Sequence, residues 1–109
     1  MGGRIYTPTT NTAAMVFDSG GDAETTVVVS GTLSHARCKH TGTGGITVTA
    51  KDANGYDYFR GLGSVGTTGL DLGPDEIGGH AIPPNTTLTI TASGGTEDET
   101  MTISLYFLN

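Results

Sequence analysis

Three carboxylates, Asp18, Asp22 and Glu24, gather within seven residues around Gly20-Gly21. Calcium takes six to eight oxygen ligands, often from acidic loops of this kind. The spacing departs from the EF-hand pattern, however, and acidic residues are common in turns for backbone reasons alone. These three are therefore weak metal candidates, and the expectation is no metal and no cofactor. His35, Cys38, His40 and His80 raise the question of zinc. His35 and His40 differ by five positions, so on a strand they face opposite ways, and structural zinc sites bring four ligands at tight spacings. Cys38 with Ala36 reads more simply as a small buried pair. On the other face of the same segment His35, Arg37 and Lys39 stand in line, with two of the chain's five basic residues. Such a strip can orient an acidic partner surface, because charge chiefly sets orientation and on-rate; its plain alternative is a solvated outer face.

Tyr56, Tyr58 and Phe59 form the aromatic cluster on which a sugar ring would stack, in a chain without tryptophan. That keeps a carbohydrate- or receptor-binding module as the second functional reading. Catalysis finds little support. No serine sits in a recognisable nucleophile elbow, no carboxylate pair falls on predictable geometry, and the glycine-rich stretches lack the lysine and helix of a phosphate loop. The chain is expected not to be an enzyme.

The elements that must position these residues are strands. Met101, Ile103, Leu105 and Phe107 alternate with Thr102, Ser104, Tyr106 and Leu108, so one face is apolar throughout and the other turns from polar to apolar. A strand that dries out its second face predicts a contact beyond its own core, and Tyr106 and Leu108 are the candidates for self-association. Ile46 to Lys51 and Thr87 to Ala92 alternate cleanly, Val27-Val28-Val29 suggests a strand covered on both sides, and Gly31 marks a bend or bulge. Asp52-Ala-Asn-Gly55 predicts a two-residue type I′ hairpin with Tyr56 to Arg60 as the return strand. Residues 61 to 84 predict loops with one or two short edge strands, and Pro83-Pro84 should stop pairing. Thr96-Glu-Asp-Glu99 reads as a solvated hairpin tip. Residues 1–11 read as an extended N-terminal arm with Ile5 and Tyr6 as its anchors. Residues 12–109 read as a single-domain antiparallel β-sandwich, jelly-roll-like, with about seven or eight short strands.

Composition sets further bounds. Leu, Ile, Val and Phe supply 22 of 109 residues, a lean core for a chain this short. Burying more surface against copies of itself would raise the margin, so oligomerisation is expected. Eleven Asp and Glu against five Lys and Arg, net charge −6, argue against nucleic acid as a partner. One cysteine cannot make an internal disulfide. No apolar run is long enough to span a membrane, and Met1-Gly-Gly-Arg4 lacks the apolar core of a signal peptide.

The run of segments has a familiar shape: an N-terminal arm, Val27-Val-Val-Ser-Gly31, Asp52-Ala-Asn-Gly55, Gly61-Leu-Gly63, Pro83-Pro-Asn-Thr-Thr-Leu-Thr-Ile-Thr-Ala-Ser-Gly94 and Ile103-Ser-Leu-Tyr-Phe-Leu108. It resembles the small all-β accessory head proteins of tailed bacteriophages, the decoration or cement proteins that sit on the assembled capsid. The resemblance implies a homo-oligomer, a trimer above all, made in the host cytoplasm and placed on the capsid exterior of the virion. Its partner would be the major capsid protein. On that reading Ile5, Tyr6, Arg37 and Lys39 would dock on the capsid.

Overall fold

The computed structural model describes residues 8–42, 45–66, 68–78 and 80–108. Among them the chain is all-β, seven strands and one helical turn. The strands are β1 (Pro8–Val16), β2 (Asp22–His40), β3 (Ile46–Lys51), β4 (Ser64–Val65), β5 (Leu70–Leu72), β6 (His80–Ser93) and β7 (Thr100–Leu108), with α1 (Pro74–Ile77) between β5 and β6. All pairings are antiparallel. They run β1-β7-β2-β6-β3-β4, with β5 also on β2, so the two layers are arms of one curled sheet. No helix among the described residues is long and apolar enough to cross a membrane.

The arms share β2. Its first part pairs with β6 from Asp22↔Ser93 to Leu33↔His80, and its last part pairs with β7 from Thr32↔Leu108 to His40↔Met101. β5 lies along the same last part, Ala36↔Leu72 to Cys38↔Leu70. Gly31, at φ 104, gives β2 a backbone that a side chain would strain, and the sheet turns there. The alternation read from the sequence closes one contiguous core inside the curl. All three phenylalanines (Phe17, Phe59, Phe107) are fully buried with Leu33, Leu88, Ile90, Met101, Ile103 and Leu105. Phe17 packs so tightly on Gly95 that a Cβ there would lie 2.5 Å from the ring.

Two ladders are interrupted, with different results. Between Val29↔Thr86 and Gly31↔Ile82, β6 carries two residues more than β2. An even excess leaves the in-and-out alternation of β6 unchanged, and Ile82, Leu88, Ile90 and Ala92 all face the core. Between Leu33↔Phe107 and His35↔Tyr106, β2 carries one residue more than β7. An odd excess reverses the alternation. Odd-numbered Ala23, Val29 and Leu33 are buried before the bulge, and even-numbered Ala36, Cys38 and His40 after it.

Three local expectations are corrected. Strand pairing starts at Pro8, so residues 8–11 of the expected arm belong to β1, matched from Pro8↔Leu108 along β7. Pro83-Pro84 do leave the ladder, but they do not end the strand: pairing resumes at Ile82, β6 runs on to His80, and Thr86 Oγ1 donates to Pro83 O at 2.6 Å. The 52–55 turn is not of type I′, because of its residues only Gly55 has positive φ, and Tyr56 to Arg60 does not return as a strand. Side-chain oxygens have captured that backbone. Asp52 Oδ1 accepts from Asn54 N (2.9 Å) and Tyr56 N (3.1 Å). Asp57 accepts from Ala50 N (3.2 Å), Phe59 N (3.0 Å) and Gly61 N (3.1 Å). One isolated bridge, Lys51↔Asp57, is all that remains of the hairpin.

Candidate functional site

Residues opposite each other in antiparallel strands share a face, so the registers write out the outer face of the β1–β7–β2–β5 arm as rows. Thr10, Tyr106 and His35 form one row, and Thr12, Ser104, Arg37 and Asp71 the next. Ala14, Thr102 and Lys39 form a third. The bulge at Ser34 creates this face. Without it the odd-numbered Arg37 and Lys39 would continue the inward set of Val29 and Leu33. The bulge also ties down its neighbour, since Ser34 Oγ lies 2.7 Å from His35 Nδ1.

Tyr106 is the centre. It is half-buried between an edge-on His35 ring, 6.3 Å between centroids at 86°, and the Arg37 guanidinium, 5.7 Å from its ring centroid. Arg37 is held from its other side by Asp71, Nε to Oδ1 at 3.3 Å. Both partners of that pair are well over half exposed, so it orients the guanidinium and contributes about 1 kcal/mol or less. A recess of about 670 Å³ opens on one side of Tyr106, between the hydroxyls of Thr100, Thr102 and Ser104 and the Leu70-Asp71 edge, with Lys39 in its lining. A second, of about 300 Å³, lies on the other side against Ser34, His35, Phe107 and Leu108. Leu108 is 38% exposed. Tyr106 and Arg37 are also the residue types that dominate binding energy at protein interfaces.

The inward face of the same strand is chemically quiet. Burial pushes the Cys38 thiol up to about 12, leaving it a protonated, inert core group. His40 is 7% exposed, and its Nε2 lies 3.0 Å from Gly66 O. A carbonyl only accepts, so Nε2 carries a proton, and the buried Nδ1 has no hydrogen-bond partner among the described residues. His35 and His40 stand on opposite faces, and no three His, Cys, Asp or Glu among the described residues gather as a metal group.

The other sequence candidates separate. Asp18 Oδ1 accepts from Gly20 N (2.9 Å) and Asp22 N (3.0 Å), which makes it the organiser of its own turn. Of the aromatic cluster, Phe59 is fully buried and Tyr58 nearly so, its hydroxyl donating to Asp52 Oδ2 at 3.2 Å. Burial first, and then that bond, hold the Tyr58 phenol above its ordinary pKa. Tyr56 alone of the three is exposed, edge-on to Tyr58, so no flat aromatic platform stands there. Ile5 and Tyr6 lie outside the described residues. Sequence reasoning missed Ser34 and Asp71; the signal for Asp71 is its place in Leu70-Asp-Leu72, a short alternating piece within a glycine-rich stretch.

Comparison with protein-family models, with curated proteins and with solved structures found no match to this chain.

Proposed function

We propose that this chain is a structural protein of a virion, a decoration or cement protein that self-associates and binds the outer surface of a bacteriophage head. The supporting observation is the surface cluster of Tyr106, Arg37 and His35, an aromatic–guanidinium anchor standing between two recesses. An anchor of this kind does its work by being covered, and the free energy comes from the surface it takes out of water. Specific complexes bury about 1,600 Å², and repetition over a shell multiplies the gain of each copy. Self-association runs through Tyr106 and the exposed Leu108, with a trimer as the favoured oligomer. Arg37 and Lys39 supply the charge that orients docking, and Ile5 and Tyr6 remain the proposed anchors toward the major capsid protein.

Two measurements test the reading. Native mass determination of the purified protein should give an oligomer. Sedimentation with expanded phage heads lacking accessory proteins should carry it into the pellet to a fixed saturating ratio. A strict monomer that stays in the supernatant would overturn the proposal.

A further inference from the structure

Two surface patches of opposite sign stand out among the charges of this molecule. Arg37 and Lys39 stand side by side on the outer face of β2, where Lys39 makes no ion pair among the described residues, and they line the recess of about 670 Å³. Arg37 shares its charge with Asp71, so Lys39 carries the uncompensated positive charge of this strip in a chain of net charge −6. The β6–β7 turn carries the opposite sign at Glu97, Asp98 and Glu99. Glu99 is occupied within its own turn, where Oε1 accepts from Thr96 N at 2.8 Å. Glu97 and Asp98 are exposed, and their carboxylates have no partner among the described residues.

The acidic tip is also held rigid. Asp98 N donates to Phe17 O (3.0 Å), Phe17 N to Glu99 O (2.9 Å), and Gly95 N to Gly21 O (3.1 Å), fixing the tip against the 17–22 turn. Asp98 sits at φ 69, a left-handed backbone that Asp and Asn adopt more readily than other side chains. A tip fixed in this way loses little freedom on docking. The tip and the strip share one end of the arm, since Lys39 pairs with Thr102 and the tip leads directly into β7 at Thr100. Copies of a chain this acidic repel one another at long range. Stable association therefore needs unlike local patches in register.

We infer that the positive strip of one copy receives the Glu97-Asp98 tip of a second copy, so that the recess beside Tyr106 is a subunit interface. This rests on the self-association reading above and reassigns Arg37 and Lys39 from the capsid contact to the contact between subunits, leaving Ile5 and Tyr6 as the anchors toward the capsid. Two patches of opposite sign on one chain are mutually satisfied either across a two-fold axis or around a closed ring.

Complementary charge reversal tests it without any capsid. Arg37→Glu/Lys39→Glu and Glu97→Lys/Asp98→Lys are compared singly and as an equimolar mixture, by sedimentation velocity in low and high salt. The expected result is that wild type associates and weakens about tenfold or more in high salt. Each variant alone should be monomeric and still unfold in one cooperative transition, and the mixture should associate into heterodimers or larger species in which the two variants alternate. Should the lysine at position 98 disturb the left-handed turn, Glu97→Gln/Asp98→Asn keeps a tolerant residue there and should still weaken association about tenfold. Oligomers that survive both reversals, or a mixture that stays monomeric, would overturn the inference and leave the decoration reading standing. A wild type that is monomeric throughout would overturn both.

Discussion

The two arms of the sheet share β2, and each meets an interruption in its ladder. In the β6 arm two extra residues, at Pro83-Pro84-Asn85, bow the strand and leave its pattern intact, so the outer face is a plain lattice in which Glu24, Thr91 and Thr49 share a row and Thr26, Thr89 and Lys51 the next. In the β7 arm one extra residue, Ser34, exchanges the inside and outside of everything beyond it. The same stretch of chain then shows His35, Arg37 and Lys39 to solvent and keeps Ala36 and Cys38 in the core. An even insertion bends a strand; an odd one decides which side chains the protein can present.

Deleting residues is the strongest way to break this contrast. Removal of Ser34 should drive Arg37 and Lys39 toward the core and cost more than about 4 kcal/mol, enough to abolish a cooperative denaturant transition. Removal of Pro84 and Asn85 together should cost about 1–2 kcal/mol and leave the transition cooperative. Equal losses would show that alternation is not what separates the bulges. Next in size, Phe107→Ala beneath the β7 arm should cost about 3–5 kcal/mol and Ile90→Ala beneath the β6 arm about 2–5 kcal/mol. Each should melt in a single transition, because the buried residues of both arms form one cluster; two separate transitions would mean two independent arms.

At the surface the arms should differ in kind. Tyr106→Ala should cost association about 2 kcal/mol or more, read as a higher dissociation constant for the oligomer. Thr91→Ala on the plain lattice should leave both association and melting within about 0.5 kcal/mol. A further effect appears only at high pH. Burial raises the folded Cys38 thiol to about 12 from an ordinary 9.0, and Tyr58 is raised as well. From about pH 9 the unfolded chain loses protons that the folded chain retains, so stability present below that pH declines as it rises toward 12. Cys38→Ala should flatten that decline in chemical denaturation at pH 9, 10 and 11. An unchanged slope would mean that the folded thiol ionises as freely as the unfolded one.

Strict alternation made β3, β7 and the last part of β6 legible in the sequence, because a half-buried strand leaves a period of two in its residues. The basic strip at His35, Arg37 and Lys39 was legible for the same reason. The irregularity at Gly31 was legible, since a glycine advertises a bend; the one-residue bulge at Ser34 that permits the strip was not, since a serine advertises nothing. Asp-Ala-Asn-Gly misled because hairpin chemistry and carboxylate capture use the same residue types. Asp52 and Asp57 accept five backbone N–H donors there, and the return strand loses the competition. Asp71 became part of the site only through β5, a three-residue strand whose pairing with β2 is a property of the closed sheet.

The register of β1 has a consequence for how the molecule is made. Pro8 lies opposite Leu108 and Val16 opposite Thr100, so among the described strands the first waits for the last. During synthesis β1 must leave the ribosome with its hydrogen-bonding edge bare and remain so until β7 follows, at roughly 5–20 residues per second. Closure by such distant partners is slow, on the order of milliseconds to seconds. The nascent chain is thus open to strand exchange between neighbouring polypeptides for longer than a hairpin-first fold would be.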